Sequence, residues 1–421
     1  MTTEAPGAVL DAAAVAAISD ARDEPDWLRA LRAEWWARAE ATPWPSGQEE
    51  EWRRTSLEKL PKDAPIVESS LRVSCTLDDD LAKVGVVFCD LATAIERHPE
   101  LMRRFFGQRE TLETHAHFWA LAHAAWTGGT FLYVPAGVAA DRTLIARVAL
   151  DRPDVAAFPV TLVVAEEGSS VTFLEEVGSP DGGPGWFGGV VDIVAGRGAK
   201  VRYANLQQLG DGAWNIGAQR VEVGQDANVT TLNAEVGSSV TKLGVDVRMA
   251  GKGGTSRLLG LLAAGDDQHI DINSRQDLLD SYTTSDLLYL SALYDRARSA
   301  FYGVTKVRSE AKQTSSYQEC RNLLLSPEAG AEPIPVLEIE TNDILRCGHG
   351  ATAGAIDPTQ LFYAQTRGLD PDAAERMIVR GFFEQVVGQV HDETIRERVL
   401  AALARRIGSS EAFETDPGVA A

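Results

Sequence analysis

The sequence predicts a mainly β protein with helical flanks, in which a core of stacked strand units lies between an N-terminal helical region and a C-terminal helical domain. Three observations carry this reading. A strand–turn–strand unit recurs through the middle of the chain at offsets of 30, 28 and 26 residues. Between Arg142 and Leu325, short Val/Leu/Ile/Tyr/Thr runs are punctuated by Gly, Asp and Ser clusters. Beyond that stretch, helix-start signals at Asp357, Asp370 and Asp392 follow one another closely.

Composition bounds the rest. A chain of 421 residues, 44% hydrophobic, is long enough for two or three packed units and too apolar to be disordered. Acidic residues outnumber basic ones 61 to 40, and the formal charge of −21 excludes a nucleic-acid binder or a binder of anionic membranes. The 4 cysteines are unevenly spaced and do not form a disulfide framework, which points to the cytoplasm. The Ala-rich run from Val9 to Ile18 is interrupted by Asp11 and lacks a basic leader, so it does not read as a signal peptide. No uncharged apolar stretch is long enough to span a membrane.

In chain order, Asp26 is expected to cap an amphipathic helix from Trp27 to Ala39, with Trp27, Leu28, Leu31, Trp35 and Ala39 on one face. Pro43-Trp-Pro-Ser-Gly47 ends it, and a charged linker with Pro61 and Pro65 follows. The tryptophans read as packing anchors. A second helical pattern runs from Thr111 to Trp126, broken by Gly128-Gly129 before a strand from Thr130 to Val134. His115, His117 and His123 lie in that helix at spacings of two, six and eight, unlike the i, i+4 pair of a helical metal site, so structural roles are expected.

The repeat is clearest in Val163–Phe173, Ile193–Tyr203 and Val221–Thr231, with a poorer copy in Val247–Arg257. Taking Val171, Val201, Val229 and Thr255 as equivalent gives the offsets above. A period built from one supersecondary unit signals a stacked array, and period alone leaves a β-helix and a β-sandwich of regular hairpins both open. The glycines of Gly196-Arg-Gly198 and Gly251-Lys-Gly-Gly254 open strands, so they read as β-turns and not as phosphate cradles. His269, Asp271 and Asn273 alternate onto one strand face, expected to be solvated. Cys320 is expected near a strand end.

Val336–Glu340 alternates as a strand, and Asn342-Asp343 marks a turn. Cys347 and His349 then stand two residues apart, on the same side of an extended backbone, and the residues alone leave two readings open: half of a site for a soft or borderline metal, or a buried thiol beside a surface histidine. Asp357 caps a helix with Pro358 at its first position and a stop at Gly368, Asp370-Pro371 starts a second, and Asp392 starts a third ending near Gly408. The resulting division is 1–110 as N-terminal helical region and linker, 111–345 as core with a lead-in helix, and 346–421 as motif segment and helical domain.

Phe118-Trp-Ala-Leu121, Gly128–Val138, Asn322–Ser326, Leu337–Glu340, Cys347–Gly354 and Leu361–Gly368, in this order, resemble the SufB/SufD family of the SUF iron–sulfur cluster assembly system. His349-Gly-Ala-Thr352 favours the SufD side. Departures fall at Leu290-Ser291 and Gly348. The resemblance implies a right-handed parallel β-helix core and a non-enzymatic scaffold. It implies a SufB-like paralogue paired along the β-helix edge and a SufC-like ATPase on the C-terminal helices, while a homodimer of the isolated chain is left open. It places Cys347 and His349 at a transient iron–sulfur cluster shared with the partner chain. No tightly bound cofactor is expected on the chain alone, and ATP enters only through the ATPase.

Two other classes compete with this one. A β-helix carbohydrate-active enzyme would need paired carboxylates, for which Asp271 and Glu338 are the candidates. A thiol enzyme would use Cys347 as nucleophile and His349 as base, and the sequence offers no third residue to orient them.

Overall fold

Apolar residues at every second position give each core strand a buried face, and the Gly/Asp turns between strands return the chain to begin the next. The computed structural model describes residues 10–108, 112 and 114–407. After α1 (Ala12–Ala21) and α2 (Asp26–Ala41) come β1 (Leu71–Cys75), α3 (Asp79–Lys83), β2 (Val87–Asp90), α4 (Leu91–Arg97), α5 (Pro99–Phe105) and α6 (Ala116–Ala125). The core then winds through β3 (Gly129–Val134), β4 (Ala139–Leu150), β5 (Ala156–Ala157), β6 (Val160–Ala165), β7 (Ser170–Gly178), β8 (Trp186–Phe187), β9 (Val190–Ala195) and β10 (Lys200–Gln208). It continues as β11 (Trp214–Val223), β12 (Asn228–Glu235), β13 (Val240–Met249), β14 (Thr255–Ala264), β15 (His269–Leu278), β16 (Thr284–Leu293), β17 (Arg298–Val307), β18 (Thr314–Leu324), β19 (Gly330–Ile339) and β20 (Ile344–Ala355). The helices α7 (Pro358–Thr366), α8 (Pro371–Val387) and α9 (Glu393–Arg406) close the chain.

Successive long strands alternate between a 9-stranded and an 11-stranded sheet, and each pairs in parallel with the strand one coil earlier. This is a parallel β-helix of eight turns, from β3–β4 to β19–β20. The β-sandwich alternative is thereby excluded. Val171, Val201 and Val229 stack in register as the repeat implies. The fourth copy is displaced by one residue: Ser256 sits on Val229, while Thr255 pairs with Asn228. The turn glycines behave as turns; Gly198 takes the left-handed φ of 63° that a tight turn needs and leads into a strand.

Three cores result. The coil interior holds the stacked Val201, Val221, Val229, Val247 and Leu258. The outer face of the 11-stranded sheet is covered at its N-terminal half by α2, α6 and the tryptophans Trp35, Trp52 and Trp126, packing anchors as expected. The outer face of the 9-stranded sheet is covered by α8 and α9 through Val379, Phe383, Val399 and Leu403.

Local expectations fared unevenly. Asp357, Asp370 and Asp392 each accept a hydrogen bond from a first-turn N–H and cap their helices. Asp26 does not; Pro25 is the N-cap of α2, and Asp26 occupies the first turn, where its charge still suits the helix dipole. Thr111 and Gly408, expected helix ends, lie outside the described residues. His115, His117 and His123 are all buried, and desolvation lowers the pKa of each, that of His123 to about 4.

The expected solvated face on β15 is covered instead. The linker segment Glu51–Thr55 lies across it, with Thr55 Oγ1 donating to Asp271 at 2.6 Å. Lys242, fully buried, pairs with Asp271 at 2.7 Å and also donates to the Glu51 carbonyl. The N-terminal region is thus pinned to the β-helix by an ion pair that sequence periodicity does not reveal.

The two ends of the β-helix differ. At the N-terminal end, β1 runs antiparallel to β4 and β2 antiparallel to β3, so both sheets are capped. At the other end β19 and β20 are the terminal strands of their sheets, with Ile339 and Leu345 43% and 67% exposed.

Candidate metal centre at the open end

The segment that carries Cys347 and His349 is the last strand of the core. Cys347 is the register mate of Ser316, which stacks on Ser285, Ser256, Val229, Val201 and Val171. His349 stacks in the same way on Gln318, Leu287, Leu258 and Thr231. Every lower member of both columns is buried inside the coil, so the two side chains face the interior from its final rung. Cys347 is half-buried against the interior core, whereas His349 is exposed at the open end. Two residues of rise put their Cα atoms about 6.6 Å apart, close enough for both to reach one ion.

The glycines around His349 serve the opposite face. Tyr317 lies across the outside of β20, where a Cβ at Gly348 would meet its ring at 3.3 Å and one at Gly350 its hydroxyl at 3.2 Å. The Arg346 guanidinium sits 4.4 Å from the centre of the Tyr317 ring. Larger residues at these two positions would lift that lid off the strand.

Burial pushes the Cys347 thiol up, and no neighbouring cation lowers it. That direction is opposite to the lowered pKa of an activated cysteine nucleophile. Cys320 also faces inward, one strand below β20, as the register mate of Ala351. It is buried, its thiol is pushed up to about 12, and its Cα falls roughly 8 Å from that of His349. Sequence spacing could not reveal this proximity, which depends on the length of the intervening coil. Cys75 and Cys89 sit on the capping strands at the far end, roughly 35–40 Å along the stack from β20. Among the described residues, no cluster of three or more His, Cys, Asp or Glu side chains converges to hold a metal.

The carbohydrate-enzyme candidates do not meet. Asp271 is buried in its ion pair, and Glu338 pairs with Lys306 at 3.3 Å on the exposed β19. Two strand spacings and six residues of rise separate the carboxylates by roughly 20 Å, against the 10 Å or less that paired acid–base hydrolysis requires.

A small polar cavity lies between the sheets in the middle turns, lined among others by Glu175, Asn205, Asn215, Gln219, Asn233 and Glu235. Glu175 accepts from Thr161 at 2.5 Å and from the Tyr203 hydroxyl at 2.7 Å. Desolvation outweighs these bonds and raises its pKa, and it raises Glu235 to about 7.

Residues 148–382, from β4 into α8, match the SUF system FeS cluster assembly SufBD core domain. The chain belongs to the SufBD family. The match takes in the coils that bear Cys347 and His349 and the exposed end of the β-helix. This SufBD chain is similar to the iron–sulfur cluster assembly protein SufD of Bacillus subtilis, 26% identical over 433 aligned residues that cover 92% of this chain and 96% of that one. It is 28% identical to iron–sulfur cluster assembly SufBD family proteins of Staphylococcus epidermidis and Staphylococcus saprophyticus over 309 residues, 73% of this chain. That alignment spans 66% of the staphylococcal proteins' own length. The chain is thus a SufD-like member of an iron–sulfur cluster assembly family. Among its described residues, no helix is long and apolar enough to cross a membrane.

Proposed function

We propose that this SufBD chain is a non-enzymatic scaffold subunit that builds a nascent iron–sulfur cluster together with a SufB-like paralogue, with the cluster as cargo. The observation that carries the reading is the position of Cys347 and His349, inward-facing on the last strand at the uncapped end of the β-helix. They are two ligands at an end where another chain can supply the rest. Cytoplasmic location and ATP use only through a partner ATPase belong to the same reading.

The C-terminal helices are the proposed seat of a SufC-like ATPase. Phe362, Tyr363 and Met377 are 66%, 59% and 50% exposed on α7 and α8, while the opposite faces of α8 and α9 are spent on the 9-stranded sheet.

The test is to co-produce the chain with SufB-like and SufC-like proteins and follow cluster absorbance in the purified complex. Cys347→Ala and His349→Ala are expected to form the complex and to lose most of the cluster signal. Normal cluster formation in both variants would remove their assigned role, and failure of the unaltered chain to form any complex would remove the scaffold reading.

A further inference from the structure

A pocket of about 220 Å³ lies where segment 42–52 passes over the start of α6, its floor formed at Arg275 of β15, two strands in from the open end. Its lining takes in the first turn of that helix, from Thr114 to Phe118. The helix begins at Ala116 with His115 as N-cap, and no side chain caps it. Its first ladder bond runs from the Trp119 N–H to the His115 carbonyl at 2.9 Å, so the N–H groups of Ala116, His117 and Phe118 have no helical partner. An uncapped start of this kind attracts negative charge through its dipole and its free donors.

Two side chains in the same lining add an independent demand. His115 and His117 are 1% and 6% exposed, and the Nε2 atom of each is buried with no hydrogen-bond partner among the described residues. Burial lowers the pKa of both rings and keeps them neutral. The Nδ1 of His117 lies 2.7 Å from the Thr42 carbonyl, which can only accept, so that nitrogen carries the proton and Nε2 is a bare acceptor. This ring thus ties segment 42–52 to α6 through one nitrogen and offers the pocket a lone pair through the other. His115 lies flat on β13 at Gly244, where a Cβ would come within 2.8 Å of its Cγ, and its Nδ1 meets the Thr114 hydroxyl at 3.0 Å. Either tautomer suits that contact, so its Nε2 can donate or accept.

The pocket therefore sets several donors against one obligate acceptor. Arg275 adds a guanidinium, flanked in register by Asp246. Glu49 and Glu51 line the side toward segment 42–52. The Glu49 carboxylate is exposed and held by the Ser46 N–H and hydroxyl at 3.0 Å, and Lys62, 4.2 Å from the centre of the Trp44 ring, offsets part of the acidic charge. We propose that the start of α6 binds a hydroxyl-bearing oxyanion of the hydrogen phosphate type. Its unprotonated oxygens accept from the helix N–H groups and Arg275, and its hydroxyl donates to His117 Nε2. Sulfate and chloride have no proton to give and would leave that nitrogen unpaired. A metal cation would meet the lone pair but face the positive end of the helix. The bound ion would join segment 42–52, α6 and the sheet at one point.

Calorimetric titration of the full chain with inorganic phosphate and with sulfate tests this. The two ions share a tetrahedral shape and differ in the hydroxyl, which sulfate lacks. Phosphate is expected to bind saturably and about tenfold or more tightly than sulfate, the loss that one unpaired buried acceptor brings. Hydrogen exchange in the presence of phosphate should slow the amides of the peptide covering 114–120, which locates the ion at the helix start. A His117→Phe chain that still melts cooperatively should bind both ions weakly and with equal affinity. Absence of saturable phosphate binding overturns the proposal. So does a sulfate affinity equal to that for phosphate in the unaltered chain, or phosphate binding that leaves 114–120 unprotected.

Discussion

Glu235 and His123 are buried without a compensating charge, and they respond to pH in opposite senses. Glu235 has its folded pKa raised to about 7, so the folded state holds the proton more tightly than the unfolded chain. Its contribution is complete at acid pH and is lost as pH rises from the ordinary carboxyl range through about 7, for a total of about 3 kcal/mol. Glu235→Gln should abolish this loss, seen as urea midpoints that no longer fall between pH 5 and 8. His123 has its folded pKa depressed to about 4, with its Nδ1–H donating to the Trp119 carbonyl at 2.9 Å. Its contribution is present above the ordinary histidine value and is lost as pH falls from about 6.5 through 4. Replacing His123 with Gln should flatten the acid limb of the same profile. The sequence correctly assigned structural roles to the three histidines, since their spacing suits no helical metal pair. It could not show the carboxylates of the interior, because alternation along β7 and β12 separates two faces without telling which one the coil encloses.

At the scale of elements, what the sequence showed depended on range. The C-terminal helices announced themselves through Asp caps, two of them followed by Pro, which act within one turn. The repeat was visible where valines fill the column, through Val229. It faded where Ser256, Ser285, Ser316 and finally Cys347 occupy the same column, so the membership of Cys347 in the series was hidden. The front half of β19 was hidden by Pro333 and Pro335, residues that sheets tolerate only at an edge. The polar face of β15 was misread because its cover, Glu51–Thr55, arrives from roughly 200 residues away in the chain. That cover supplies a test. Asp271→Ala leaves Lys242 charged and unpaired under Trp52, and should cost about 3 kcal/mol or more. The double replacement Lys242→Met with Asp271→Leu should recover much of that loss in thermal unfolding.

For the molecule as a whole, the proposed role of the open end ties stability and function to a partner chain. The isolated chain has only the two proposed ligands on its last rung and no further convergent group among the described residues, so it should bind ferrous iron weakly in equilibrium dialysis. Addition of the paralogue should raise both iron retention and the thermal midpoint, the latter by mass action and with a dependence on partner concentration. A midpoint indifferent to the partner would mean that the open end is not where stability is gained.

The capped end has a further consequence for synthesis. Because β1 and β2 precede the coils they close, the ribosome delivers the cap before the stack, and each later coil can settle on a finished neighbour as it emerges. Synthesis therefore offers the coils in order from the cap, and β19 and β20 are the last strands to be made. The unpaired rim is thus exposed for the shortest part of translation, at a moment when a partner already synthesised nearby could take it up.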